Sequence, residues 1–417
     1  MKREAAGPLG RMPGGECAAW LIALAVVVAL LGYGRYESRD PDSALYADIS
    51  ADLAASPMAR WIAPEWNGYW DLQGLYREHP VGVFVPPALL ARLGYPARQA
   101  AYAVNALYEV LTLLLMLALA REFVSRREAR VLVTLLLLLP IAFAYRIRAN
   151  QEQPLLMLLL AALYGLERSR ASMRWTALST AGLAGLFLVK GVFVAVAIAS
   201  AAAWLVIREW RWPDPSTRLR PWLALAMGVA ALAAISLAYD AAYARVTGEG
   251  FFGWYSARQF GVARASGTAH PAAGALFSFA WYMGRVAWFA APWSIVGGVG
   301  LLRSIRWLRR GAGEQERCAL RDARVRGGAF CAVVAVTYLL AFSVFERRAD
   351  RYIFPVYYIL AAWWAGYGLR LHPRIRQIAW RGTRALYPYE QAAVWLGSVL
   401  LAMVWAWYGP PDLRFWR

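Results

Sequence analysis

The sequence predicts an all-α, polytopic membrane protein, with about eleven transmembrane helices in one membrane-embedded domain over residues 1–417. Three observations carry this expectation. Of the 417 residues, 60% are hydrophobic and 17% charged, a balance that excludes a soluble domain and disorder. Apolar runs recur along the whole length. Arginines collect in short loops at alternate gaps between those runs, as the positive-inside rule requires. The formal charge of +19 therefore sets orientation, and no nucleic-acid partner is expected.

Runs able to cross, or nearly cross, about 30 Å of hydrocarbon lie at about 17–34, 99–120, 131–145, 154–166, 175–189, 191–207, 221–240, 279–301, 328–345, 352–369 and 391–408. Several are short, so neighbouring helices must shield their ends. Lys2, Arg3 and Arg11 precede the first run; Arg121, Arg126, Arg127 and Arg130 follow the second. Arg168, Arg170 and Arg174 follow the fourth, and Arg208, Arg211, Arg218 and Arg220 the sixth. Further arginines from Arg303 to Arg326 follow the eighth, and from Arg370 to Arg384 the tenth.

These loops are expected in the cytoplasm of an inner (plasma) membrane protein, with the N-terminus inside and Gly409–Arg417 outside. The first run has no small-residue cleavage site after its apolar core and reads as a retained anchor. The chain stops after its last run, so no C-terminal soluble domain is expected. Cys17 and Cys331 fall in runs and Cys318 in a basic loop, which argues against disulfides and a cysteine metal site. In a cysteine-free background, Gln315→Cys should stay unlabelled by an impermeant thiol reagent in intact cells. Labelling at that position would reverse the orientation.

Three outer segments hold the polar chemistry. The first, 35–98, carries Asp40-Pro41-Asp42, Asp48, Asp52 and Glu78-His79-Pro80. Within it Ala44–Ala55 has Leu45, Ile49 and Leu53 at helical spacing, which suits an amphipathic helix lying in the headgroup layer. Pro80–Leu93 is apolar, but it contains Pro86-Pro87, and the charge alternation fails if it crosses; it reads as a re-entrant or interfacial helix. The second, 241–278, carries Trp254, Tyr255, Arg258 and Gln259 and suggests another surface helix. The third runs from Phe345 to Tyr352 and holds Arg347, Arg348 and Arg351 on the side where arginine opposes the topology rule. An anionic ligand explains them; local pairing with Glu346 and Asp350 is the plainer alternative.

Lysine is nearly absent: Lys2 and Lys190 stand against 43 arginines. Lys190-Gly191 interrupts an apolar region near the outer ends of two short runs. Ionisable residues at membrane depth cost several kcal/mol unless paired, which makes Lys190 a functional candidate; the alternative is an amine snorkelling to the headgroups. Glu109, with Asn105 one turn before it, lies within the second run as a buried polar pair of unassigned purpose. Tryptophans in or near the runs fit an interfacial belt.

Five fragments in order resemble the GT-C membrane glycosyltransferases, in the branch of the protein O-mannosyltransferases and the lipid A aminoarabinose transferase. They are Asp40-Pro41-Asp42-Ser43-Ala44-Leu45-Tyr46-Ala47-Asp48, Glu78-His79-Pro80-Val81-Gly82, Asn150-Gln151-Glu152-Gln153-Pro154-Leu155, Gly182-Leu183-Ala184-Gly185-Leu186 with Lys190-Gly191, and Arg351-Tyr352-Ile353-Phe354-Pro355. The resemblance covers roughly 17–370. Ser43 stands where the family has a second acid, and Val81 where it has a second proline. Both loosen the motif register.

The resemblance implies a GT-C-like fold and transfer of a sugar from a polyprenyl-phosphate donor to a lipid, glycan or protein acceptor at the outer face. Asp42 then aligns with the catalytic acid and acts as general base for the acceptor hydroxyl; alternatively it only caps the following helix. Glu152 is the second acid, orienting the acceptor or binding a metal. Asp40 contacts a metal or the acceptor. Arg146 and Arg148 pair with Glu152 or bind phosphate. Lys190, Arg348 and Arg351 are the expected phosphate ligands, with Tyr352 donating a hydrogen bond. His79 binds acceptor or metal, or makes a structural hydrogen bond. No cluster has metal-ligand spacing, so a divalent cation is admitted without being required. The rival class is a secondary transporter of a polar or anionic solute, against which stand the missing internal repeat and the one-sided polar residues.

Overall fold

The computed structural model describes residues 40–66, 73–136, 139, 141–142, 145, 148–264, 271–291, 293–299, 323–345 and 348–371. The expected first and last runs, Cys17, Cys318, Arg146, Glu346, Arg347 and most of the loops at 303–327 and 370–390 lie outside them. Among the described residues there is no strand, only an isolated antiparallel bridge between Glu65 and Leu75.

Helix α1 spans Pro41–Ala55. Proline at its first position presets the backbone angle, and the Asp40 carboxylate caps it by accepting from the Ser43 N–H at 3.2 Å. Short 3₁₀ turns follow at Met58–Arg60 and Val81–Val83. Helix α2, Val85–Arg92, starts on Pro86-Pro87. It is too short to cross a bilayer, which suits the interfacial reading. Helices α3 (Ala97–Ala120), α4 (Arg126–Leu136), α5 (Glu152–Ser169), α6 (Thr176–Lys190), α7 (Phe193–Arg211) and α8 (Leu219–Thr247) come next. The expected second surface helix is α9, Phe251–Arg264. Then come α10 (Pro271–Phe289), α11 (Ala323–Ser343), a 3₁₀ turn at Asp350–Ile353, and α12 (Phe354–Leu371).

Among the described residues, helix forms where the hydropathy places apolar runs. Four stretches, Ala97–Ala120, Phe193–Arg211, Leu219–Thr247 and Val325–Ser343, are long and apolar enough to cross a membrane. The chain is a multi-pass membrane protein. Helix α8 turns Leu219, Leu223, Met227 and Leu237 outwards, as a lipid-facing helix does. By contrast α5 is buried all round, with Leu155, Leu156, Leu159, Leu160, Leu163 and Leu166 enclosed.

Helices α5 and α6 form an antiparallel hairpin at the centre. A Cβ on Gly182 would sit 2.5 Å from the Ala162 nitrogen and 2.7 Å from the Leu158 carbonyl oxygen. The glycine-rich stretch therefore lets two backbones touch, as small residues do between membrane helices. The hairpin sets the N-terminus of α5 beside the C-terminus of α6, which places Glu152 near Lys190. At the opposite ends, the side expected in the cytoplasm, Arg168 pairs with Glu122 at 3.2 Å and Arg170 with Glu209 at 2.8 Å. The Glu167 carboxylate accepts from the Trp204 indole N–H.

Helix α1 corrects one expectation. Leu45, Ile49 and Leu53 are 2–3% exposed and join the main hydrophobic core. Its apolar side lies against α2 and α3, because those helices supply a protein surface that removes it from water more completely than headgroups would.

Candidate active site

Four chain segments converge on the side that the charge pattern assigns to the outside. They are the start of α1, the start of α5, the end of α6, and the 3₁₀ turn before α12. Asp42, in the first turn of α1, is ion-paired to Arg351 across 309 residues of sequence. Glu152, 2% exposed, lies within electrostatic reach of Lys190, Arg351 and Asp42. Its Oε2 is buried without a hydrogen-bond partner among the described residues. Burial works against the charge of Arg351, and Asp42 followed by Glu152 outweighs it, so the guanidinium is held more firmly protonated than in water.

Lys190 is 5% exposed. Its Nζ lies 4.6 Å from the Phe193 ring centre and 5.6 Å from that of Tyr352, within cation–π range. This corrects the snorkelling alternative, since a snorkelling amine would be solvated. Tyr352 meets the ammonium with its ring, which itself stacks on Phe342 at 5.6 Å. Gly191 ends α6 at φ +47°, a region that L-residues avoid. The Tyr255 hydroxyl, brought in by α9, accepts from the Val192 N–H at 2.9 Å and donates to the Lys190 carbonyl at 3.3 Å.

The capping role suggested for Asp42 falls to Asp40. Asp40 accepts from the Ser43 hydroxyl at 2.7 Å and the Asn150 amide at 3.5 Å, and pairs with Arg148 at 3.7 Å. Ser43 in turn accepts from the Ala149 N–H at 3.1 Å. The serine that seemed to loosen the motif is fully buried and stitches the first outer segment to the second. Arg148 therefore pairs with Asp40, where Glu152 or phosphate was expected, because Asp40 reaches it first.

Arg348 is not brought into the cluster. It is exposed and lies 4.6 Å from the Phe277 ring centre. Asp350 does not hold Arg351 either. The guanidinium of Arg285 grips it at 2.7 and 2.5 Å, and Tyr357 donates to it at 3.0 Å. Arg285 and Tyr255 went unassigned in the sequence, although a lone arginine inside the apolar run at 279–301 was a visible signal.

The Glu78-His79-Pro80-Val81-Gly82 segment docks on α6, where a Cβ on Gly82 would lie 2.7 Å from backbone atoms of Leu188. Glu78 is ion-paired to Arg258, and its carbonyl accepts from Gln259 at 2.9 Å. The Nδ1 of His79 is buried and makes no hydrogen bond among the described residues. Burial, then the charges of Lys190, Arg351 and Arg258, push its imidazole well below the usual range. Such a histidine stays neutral at pH 7. As pH falls below about 6.5 the unfolded chain binds a proton that the folded chain refuses, so stability drops. Wild type should lose more thermal stability between pH 7.5 and pH 5 than His79→Gln, measured by unfolding in detergent.

Among the described residues no three His, Cys, Asp or Glu side chains are grouped to hold a metal ion. The site is built from two carboxylates and two cations.

The fold is similar to those of several solved proteins, and part of the chain matches a family model. Residues 78–239 match the family model described as dolichyl-phosphate-mannose-protein mannosyltransferase. ArnT from Cupriavidus metallidurans in the apo state aligns with a TM-score of 0.62 at 20% identity, over 89% of this chain and 63% of that one. The same protein bound to undecaprenyl phosphate gives 0.64 at 19% identity, over 95% and 73%. The archaeal oligosaccharyltransferase AglB from Archaeoglobus fulgidus, in complex with an inhibitory peptide and a dolichol-phosphate, gives 0.51 at 14% identity, over 95% and 58%. The chain thus spans less than two thirds of the apo ArnT chain. No curated protein matches it.

Proposed function

We propose that the chain transfers a sugar from a polyprenyl-phosphate donor to an acceptor hydroxyl at the outer face of the membrane, with inversion. The observation that carries this is the convergence of Asp42 and Glu152 with Arg351 and Lys190. A carboxylate that accepts a proton stands beside cations able to receive a leaving phosphate. The family match, and a structural neighbour bound to undecaprenyl phosphate, support that ligand class.

In the reaction the acceptor oxygen bonds to the anomeric carbon as the bond from that carbon to the phosphate oxygen breaks. The electron pair leaves with the lipid phosphate, and the acceptor proton passes to Asp42. Glu152 orients the acceptor. Arg351 serves twice. It holds Asp42 in the structure described, and an incoming phosphate competes for the same guanidinium, which frees the carboxylate when donor arrives. Lys190 supplies a compact charge from the other side.

The deciding experiment incubates purified protein in nanodiscs with radiolabelled undecaprenyl-phosphate sugars and membrane extract. Time-dependent, protein-dependent loss of label from the lipid into product is expected. Movement of intact solute across sealed proteoliposomes, without cleavage of a sugar–phosphate bond, would instead establish the transporter.

A further inference from the structure

Beside the catalytic cluster lies a second feature that the reaction above does not use. It is a cleft of about 440 Å³, with Trp66, Gln73, Arg77, Glu78, Trp254 and Arg258 in its walls. It opens between the first outer segment and α9. Its size falls within the range of small-molecule sites. We infer that it binds a neutral saccharide, the glycan of a sugar-bearing acceptor; this rests on the transfer reading above.

The chemistry of the walls selects that class. Trp254 is 49% exposed. The guanidinium carbons of Arg77 and Arg258 lie 5.6 and 5.9 Å from its ring centre, which holds the indole in place and leaves part of it open. Trp66 packs against Tyr76 at 4.7 Å. A pyranose has a face of C–H groups, slightly positive, that suits the negative face of an indole. Its rim of hydroxyls needs donors and acceptors, which Gln73, Glu78 and the arginines provide.

The charges in the walls are paired already. Arg77 meets Glu249 at 2.9 Å and Arg258 meets Glu78. With both guanidiniums matched to carboxylates, a phosphate gains little here, whereas a neutral ligand displaces no ion pair.

Position links the cleft to the reaction. Glu78 lines the cleft, and the next residue, His79, lies within the fields of Lys190 and Arg351. On α9, Trp254 and Arg258 face the cleft, while Tyr255 bonds the Lys190–Val192 turn. A saccharide held here touches Glu78, one residue before the histidine that lies in the fields of Lys190 and Arg351.

The test uses saturation-transfer NMR on the full chain in nanodiscs, without donor, with mannobiose, galactobiose and N,N′-diacetylchitobiose as probes. Saturation should reach the ring C–H protons of at least one, vanish in Trp254→Ala and weaken in Gln73→Ala. Gln73 is exposed, so that variant should fold even if the tryptophan variant does not. In the transfer assay both variants should raise the acceptor KM tenfold or more and leave the donor KM unchanged. No contact with any probe, contact surviving both substitutions, or contact abolished by undecaprenyl phosphate would each overturn the assignment. Trp254-dependent contact without any transfer would leave the cleft standing and remove the transferase reading alone.

Discussion

Asp42→Asn is expected to reduce sugar transfer by about 10²–10⁴-fold, the usual loss when a positioned general base is removed. The amide keeps the shape of the carboxylate but cannot take the acceptor proton. The fold should survive, because the helix cap is Asp40 and Arg351 keeps Glu152 as an anionic neighbour. Donor binding should hold or improve, since Arg351 no longer has a carboxylate on Asp42 to leave. Turnover and donor affinity measured separately would show a fall in kcat without a rise in donor Kd. If Asp42→Asn keeps near-normal turnover while Asp40→Asn loses it, the base is misassigned by two residues. The network around Asp40 makes a different outcome for Asp40→Asn: lower thermal stability, because an amide cannot form the ion pair with Arg148, although asparagine still caps the helix.

Lys190→Met should act on the donor. A hydrogen bond to a charged group contributes about 1.5–3 kcal/mol, which corresponds to a rise of about 10- to 150-fold in apparent KM for lipid-linked sugar. The acceptor KM should not follow. Lys190→Arg should restore only part, because the pocket between Phe193 and Tyr352 fits a compact ammonium and a planar fork needs more room. Arg351→Gln should shift the donor KM in the same direction and also free Asp42 of its partner. Unchanged donor kinetics in Lys190→Met would return Lys190 to a packing role and leave Arg351 as the phosphate ligand.

Much of the architecture was legible in the sequence because hydropathy is a local property. Apolar runs become helices in a bilayer whatever they pack against, since no backbone group can stay unpaired there. The helix at α9 was legible too, as was the break at Lys190-Gly191, where glycine takes a backbone angle other residues avoid. Of the candidate residues, Lys190 and Arg351 were visible as charges out of place in apolar or wrong-sided surroundings, whereas Asp42 and Glu152 were marked by the resemblance of their motifs.

Their partners were not visible, because pairing depends on which helix ends meet. Arg351 has Asp350 next to it in sequence, yet it pairs with Asp42, since Arg285 reaches Asp350 from α10. Asp40 and Asp42 have nearly the same local sequence, but only packing makes one a cap held to the Asn150 segment and the other the partner of Arg351. Ser43 looked like a loss from a motif and turned out to join two outer segments. The sequence by itself determined which residues are too costly to bury without a purpose. Tertiary structure alone decided which opposite charges share a site, because contacts between helix ends hundreds of residues apart are fixed by packing, and packing leaves no periodicity to read.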